Sequence, residues 1–123
     1  MNINQAVILV GGKGSRLKPL TNNLPKPLVP VNKRPFCDYL IQSLYDNGIS
    51  KILFLTGYKN KFFKERYKSN NKILYEFSFS KIKINTGKRL INAKKFLDDE
   101  FLLIYGDNYV FFNIKKLINF KNK

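Results

Sequence analysis

Residues 6–17 read Ala6-Val7-Ile8-Leu9-Val10-Gly11-Gly12-Lys13-Gly14-Ser15-Arg16-Leu17. An uninterrupted apolar run gives way at once to glycines, a lysine and an arginine. A short continuous run of this kind is the pattern of a strand buried on both faces, as in a parallel sheet covered by helices. Glycines directly after such a strand let backbone amides approach an anion without Cβ obstruction, and converging N–H groups form an anion nest. The same residues also suit a tight strand-to-loop turn with incidental charge. Two familiar phosphate loops are excluded. No Gly-x4-Gly-Lys-Ser/Thr occurs, and Leu17 stands where the dinucleotide fingerprint needs its third glycine.

Beyond this loop the chain keeps alternating. Phe36 to Asn47 carries apolar residues at 36, 37, 40, 41, 44 and 45, a helical spacing, and Gly48 suits the C-terminal cap. Lys51 to Thr56 reads as a second buried strand ending at Gly57, and Asn60 to Tyr67 as a short helix. Ile73 to Phe79 alternates like a strand with one exposed face. Lys88 to Leu97 puts Leu90, Ile91, Ala93 or Lys94, and Leu97 at helical spacing, and Phe101 to Tyr105 is a further strand closed by Gly106-Asp107-Asn108. Tyr109 to Phe112 predicts another short strand and Ile114 to Phe120 the start of a helix. All five prolines lie between Pro19 and Pro35, so that stretch is expected to be extended or turned. Alternating strands and helices imply an α/β protein with a mainly parallel sheet covered on both faces. Ligands of such sheets bind at the carboxyl ends of the strands. That rule selects the glycine loop, Gly57-Tyr58 and Gly106-Asp107-Asn108.

Composition narrows the chemistry. The 123 residues include no histidine and one cysteine, Cys37, which excludes an intrachain disulfide, His-ligated metal sites and the Ser-His-Asp and Cys-His machineries. No apolar run is long enough to span a bilayer and no signal peptide is visible, so the expectation is a soluble, cytoplasmic protein with no membrane partner. The net charge of +15 raises the question of nucleic acid, but the excess is +5 in residues 1–40, +4 in 41–80 and +6 in 81–123. There is no basic arm or block and no recognisable motif, so the chain is not read as a nucleic-acid binder. A general bias toward anionic small molecules is the expected consequence.

Two further segments carry charge in set positions. Pro25-Lys26-Pro27 fixes a lysine between prolines, which preorganises its charge for an anion, although in isolation the segment reads more readily as a rigid linker. Asp107 follows a buried strand beside a glycine, where a divalent ion bridging phosphates would be held; it equally suits an ordinary Asp-containing turn.

Taken together, Val10-Gly11-Gly12-Lys13-Gly14-Ser15-Arg16-Leu17-Lys18-Pro19-Leu20-Thr21 followed by Pro25-Lys26-Pro27-Leu28-Val29-Pro30-Val31 resembles the signature of the sugar-1-phosphate nucleotidyltransferases. Arg34-Pro35-Phe36, Gly48-Ile49, Gly57-Tyr58, Thr86-Gly87 and Tyr105-Gly106-Asp107 continue it in order, from Ala6 to about Ile114. The resemblance implies a Rossmann-like three-layer sandwich that joins an NTP to a sugar 1-phosphate, releasing pyrophosphate and an NDP-sugar for surface polysaccharide or glycoconjugate precursors. On these residues it implies that Val10, Gly11, Gly12, Gly14 and Ser15 cradle the nucleotide, with Thr86 and Gly87 near base and ribose. Arg16 and Lys26 would be the catalytic cations, and Asp107 would hold Mg²⁺. A homo-oligomer is compatible with the sequence, which does not specify one.

Around Asn85-Thr86-Gly87-Lys88-Arg89-Leu90 the family more often has a further glycine and a small residue; Thr-Gly-x-Arg-Leu is closer to members that transfer cytidylyl groups, whereas the proline-rich loop resembles other branches, so the base stays open. The family's catalytic domains also continue well past the first metal aspartate. Residues 1–123 are therefore expected to form the N-terminal, nucleotide-binding part of such a domain, incomplete as a fold and without the second metal carboxylate. A nucleotide-binding or regulatory module without turnover is the alternative function.

Overall fold

A computed structural model of the protein describes residues 3–12, 23–81 and 83–106. Its frame is a sheet in the order β5-β4-β1-β6, formed by β1 (Gln5–Leu9), β4 (Lys51–Thr56), β5 (Leu74–Phe79) and β6 (Leu102–Tyr105). All pairings are parallel, with Gln5 opposite Lys51, Lys51 opposite Leu74, and Ala6 opposite Leu102. Two short strands, β2 (Pro30–Val31) and β3 (Arg34–Pro35), form a separate antiparallel pair. The helices are α1 (Phe36–Asp46), α2 (Asn60–Arg66) and α3 (Thr86–Asn92).

The period-2 geometry of the two central strands sorts their side chains onto opposite faces. Ala6, Ile8, Ile52 and Phe54 meet Cys37, Leu40 and Leu44 of α1 and Phe63 of α2. Val7, Leu9, Leu53 and Leu55 meet Ala93, with Leu90, Phe96 and Leu97 packed against them. Helical segments thus cover both faces, which is why every residue of β1 is buried and reads as a continuous apolar run. The sheet grows from β1 through β4 to β5, and the chain then crosses to place β6 on the other side of β1. That reversal makes a topological switch point at the carboxyl ends of β1 and β6. At the other end of the sheet, the fully buried Gln5 donates to the Phe96 carbonyl (2.8 Å) and accepts from the Asp98 amide (2.9 Å).

The α/β architecture expected from the sequence is the one observed, with the proline-rich stretch turned and extended as expected, and the bounds of one helix change. The helix expected over 88–97 begins at Thr86, because Asn85 caps it by accepting from the Lys88 amide (2.9 Å), an arrangement worth about 1 kcal/mol. It stops at Asn92 and tightens into a 3-10 turn over Lys94–Phe96, which leaves Ile91 65% exposed instead of buried. Within the proline-rich stretch, Lys26–Leu28 form one 3-10 turn, followed by the β2–β3 hairpin. Asn32 and Lys33 turn that hairpin with φ of 52° and 68°, the left-handed pair that matches strand twist. The strand and helix expected beyond Tyr109 lie outside the described residues.

Candidate functional site

Three glycine-bearing segments leave the sheet side by side. The Val10 amide donates to the Leu55 carbonyl (3.1 Å), the Tyr58 amide to the Gly11 carbonyl (3.1 Å), and the Gly106 amide to the Leu9 carbonyl (2.9 Å). Val10 is buried in the core, and a Cβ on Gly106 would lie 2.7 Å from its Cγ1. Close contact therefore demands glycine at 106, which sets the end of β6 against the base of the glycine loop.

Gly11 and Gly57 are demanded by a different neighbour. The Arg89 side chain, only 6% exposed, reaches from α3 across these strand ends. Its Nε donates to the Ile84 carbonyl (3.0 Å), Nη1 to the carbonyls of Thr56 (2.9 Å) and Ser80 (3.4 Å), and Nη2 to that of Lys81 (3.0 Å). A Cβ on Gly11 would fall 2.6 Å from Nη1, and one on Gly57 would fall 2.9 Å from the Gly11 carbonyl and 3.1 Å from Nη2. Backbone carbonyls at the strand ends suit a guanidinium because it carries several donors in a planar fork; that of Thr56 also accepts the Ser80 amide (3.0 Å) and that of Lys81 the Ile84 amide (3.0 Å). Burial lowers its pKa from the ordinary value. Sequence reading gave Arg89 no role and noted it only within the Thr-Gly-x-Arg-Leu pattern.

Gly12 differs from Gly11. It is exposed, and no described residue lies within 4 Å of where its Cβ would be. Lys26 is the first residue of its 3-10 turn, and the buried Leu28 of that turn shares an apolar cluster with Val10. The proline-flanked lysine is thus carried by a segment anchored in the same core as the base of the loop. Thr86 and Gly87 open α3, one turn before Arg89. A Cβ on Gly87 would meet only Asn85 Oδ1 at 3.6 Å, an ordinary contact, so packing does not demand glycine there. Gly14, Ser15, Arg16 and Asp107 lie outside the described residues. Among those described, no group of three or more His, Cys, Asp or Glu could hold a metal ion, and no helix is long and apolar enough to cross a membrane.

A second polar cluster lies on the α1 face. Asp38 accepts from Arg66 Nε (3.0 Å) and Nη2 (2.5 Å) and from the Tyr67 hydroxyl (2.5 Å), with Arg34 at 3.5 Å. Burial works to raise its carboxyl, and the hydrogen bonds from Arg66 and Tyr67 with the charges of Arg66 and Arg34 outweigh it, leaving the pKa below the ordinary value. The groove beside it, about 460 Å³, contains none of the sequence-predicted site residues. This cluster ties α1 to the end of α2.

Comparison with known proteins shows which family and fold the chain shares. The family model described as nucleotidyl transferase matches residues 5–123. The chain is 32% identical over 117 residues to the bifunctional protein GlmU of Methanococcus maripaludis, covering 95% of this chain and 28% of that protein. It is 32% identical over 114 residues to the D-glycero-alpha-D-manno-heptose 1-phosphate guanylyltransferase of Campylobacter jejuni, covering 92% of this chain and 52% of that protein. The crystal structure of HddC from Yersinia pseudotuberculosis complexed with GMP-PN superimposes with a TM-score of 0.82 at 30% identity, covering 97% of this chain and 54% of that one. The chain thus spans about half the length, or less, of the proteins it matches.

Proposed function

Because this chain belongs to the nucleotidyl transferase family, among the sugar-1-phosphate nucleotidyltransferases, we propose that it is the nucleotide-binding part of an enzyme that transfers a nucleoside monophosphate from an NTP to a sugar 1-phosphate. The observation that carries the proposal is Gly12. It is exposed at the switch point, and among the described residues no neighbour forbids a side chain there. Its bare backbone serves something outside the fold, and a phosphate at the end of a parallel strand is what such a backbone accommodates.

In this reading Gly11 and Gly12, continued by Gly14 and Ser15, cradle the triphosphate, with Val10 as the rigid base of the loop. Arg16 and Lys26 neutralise charge on the triphosphate and the leaving pyrophosphate. Thr86 and Gly87 border the base and ribose. The attacking sugar phosphate oxygen is ionised at neutral pH, so no general base is needed, and a chain without histidine can serve. Catalysis then rests on in-line positioning and charge neutralisation. A divalent ion fits this donor set, because Mg²⁺ is commonly held by one or two carboxylates plus substrate phosphates. Asp107, next in sequence to Gly106 at the switch point, would supply the carboxylate. When bound, Mg²⁺ would screen phosphate charge.

The test is incubation of the chain with each NTP, Mg²⁺ and a panel of sugar 1-phosphates, reading pyrophosphate release and NTP affinity. GTP comes first, since one of the matched relatives is a guanylyltransferase. NTP binding that is weakened in Lys26→Ala supports the reading. Binding without pyrophosphate release assigns this chain to recognition alone, and no binding of any NTP refutes the proposal.

A further inference from the structure

Arg89 has no role in the reading above, yet among the described residues it is the buried cation that packs against Gly11. Its guanidinium lies behind Gly11, one peptide from the exposed Gly12, and both Gly11 and Gly57 lack side chains where it passes. Four carbonyls from the β4 end, the segment after β5 and the approach to α3 fix its plane. A positive charge held so firmly, away from bulk water, acts on its surroundings with little solvent screening.

We propose that Arg89 is a positioning residue for the phosphate groups: it sets the course of the Gly11–Gly12 backbone and supplies a fixed internal countercharge that favours a triphosphate over a monophosphate. The proposal rests on the nucleotide reading of the glycine loop. Arg89 does not touch the ligand. It acts through the Gly11 backbone that it packs against and through its field, which grows in effect with the number of negative charges facing it. A side chain that merely filled space would not distinguish the two phosphorylation states.

The four NTPs are screened against the 123-residue chain by calorimetry, and the bound NTP is then compared with its monophosphate in Arg89→Gln and Arg89→Lys. The expected result for Arg89→Gln is a triphosphate Kd raised about tenfold or more with the monophosphate Kd changed less than about threefold. Arg89→Lys, which keeps the charge and loses the fork, should restore part of the preference. Equal losses for both ligands, or no loss, would overturn the proposal while leaving the nucleotide reading intact. Absence of NTP binding by the wild-type chain would overturn both. Should Arg89→Gln fail to fold, the Arg89 Nε–H resonance of the wild-type chain provides the second measurement. It is expected to shift with triphosphate and to move much less with monophosphate, and an unmoved resonance at saturation would overturn the proposal.

Discussion

Gly57→Ala places a methyl group 2.9 Å from the Gly11 carbonyl oxygen and 3.1 and 3.2 Å from the two terminal nitrogens of Arg89. Ordinary contact begins near 3.4 Å, so the Gly11 carbonyl must retreat by about 0.5 Å. That carbonyl accepts the Tyr58 amide at 3.1 Å, and a retreat of that size stretches the bond to about 3.6 Å, beyond useful length. Overpacking costs roughly 1–3 kcal/mol and a lost hydrogen bond about 1 kcal/mol, so the variant should be destabilised by about 3 kcal/mol. For a domain of this size the melting temperature should fall by roughly 10 °C. Thermal unfolding followed by far-UV circular dichroism measures it, with Gly12→Ala as the control. No described residue comes within 4 Å of a new Cβ at position 12, so the melting temperature of that variant should stay near wild type while NTP affinity falls. A Gly57→Ala melting point within about 2 °C of wild type would refute the packing argument, since that shift is worth well under 1 kcal/mol.

Other outcomes follow from the α1 face. Asp38 has its pKa held down in the folded state, so its contribution to stability is complete above about pH 4–5 and is lost as pH falls through the folded value. Asp38→Asn should therefore cost about 1–3 kcal/mol near neutrality and flatten the acid limb of the stability profile; an unchanged acid limb would contradict the ion-pair assignment. Cys37 is fully buried, and burial pushes its thiol up to about 12 against the opposing hydrogen bond with Tyr67. It should resist thiol reagents at pH 8 in the native protein and react once denatured, and rapid native labelling would place α1 wrongly.

Where tertiary packing and local pattern coincide, the sequence is an accurate guide. The central strands β1 and β4 read correctly because they are buried on both faces, so nothing interrupts their apolar runs. Helix α1 likewise announced itself through spacing and its terminal Gly48, whose φ of +92° only glycine adopts readily. Helix α3 was legible only in part. Its start depends on Asn85 folding back onto the Lys88 amide, and it gives way to a 3-10 turn after about two turns, with Ile91 left exposed.

Position along the strand ends shows the same division. The order of residues alone established an α/β chain with a glycine loop after its first buried strand, a proline-flanked lysine, and a glycine–aspartate pair after its last long strand. Periodicity and loop chemistry are local properties, so they survive in one dimension. Which glycines serve the fold and which face a ligand was decided only in three dimensions. Gly11, Gly57 and Gly106 yield to Arg89, to a neighbouring carbonyl and to Val10, whereas Gly12 yields to none of the described residues. Likewise, no spacing rule joins Arg89 to the loop. The link arises because the chain crosses from β5 through α3 to the far side of β1, carrying that guanidinium over the ends of the strands.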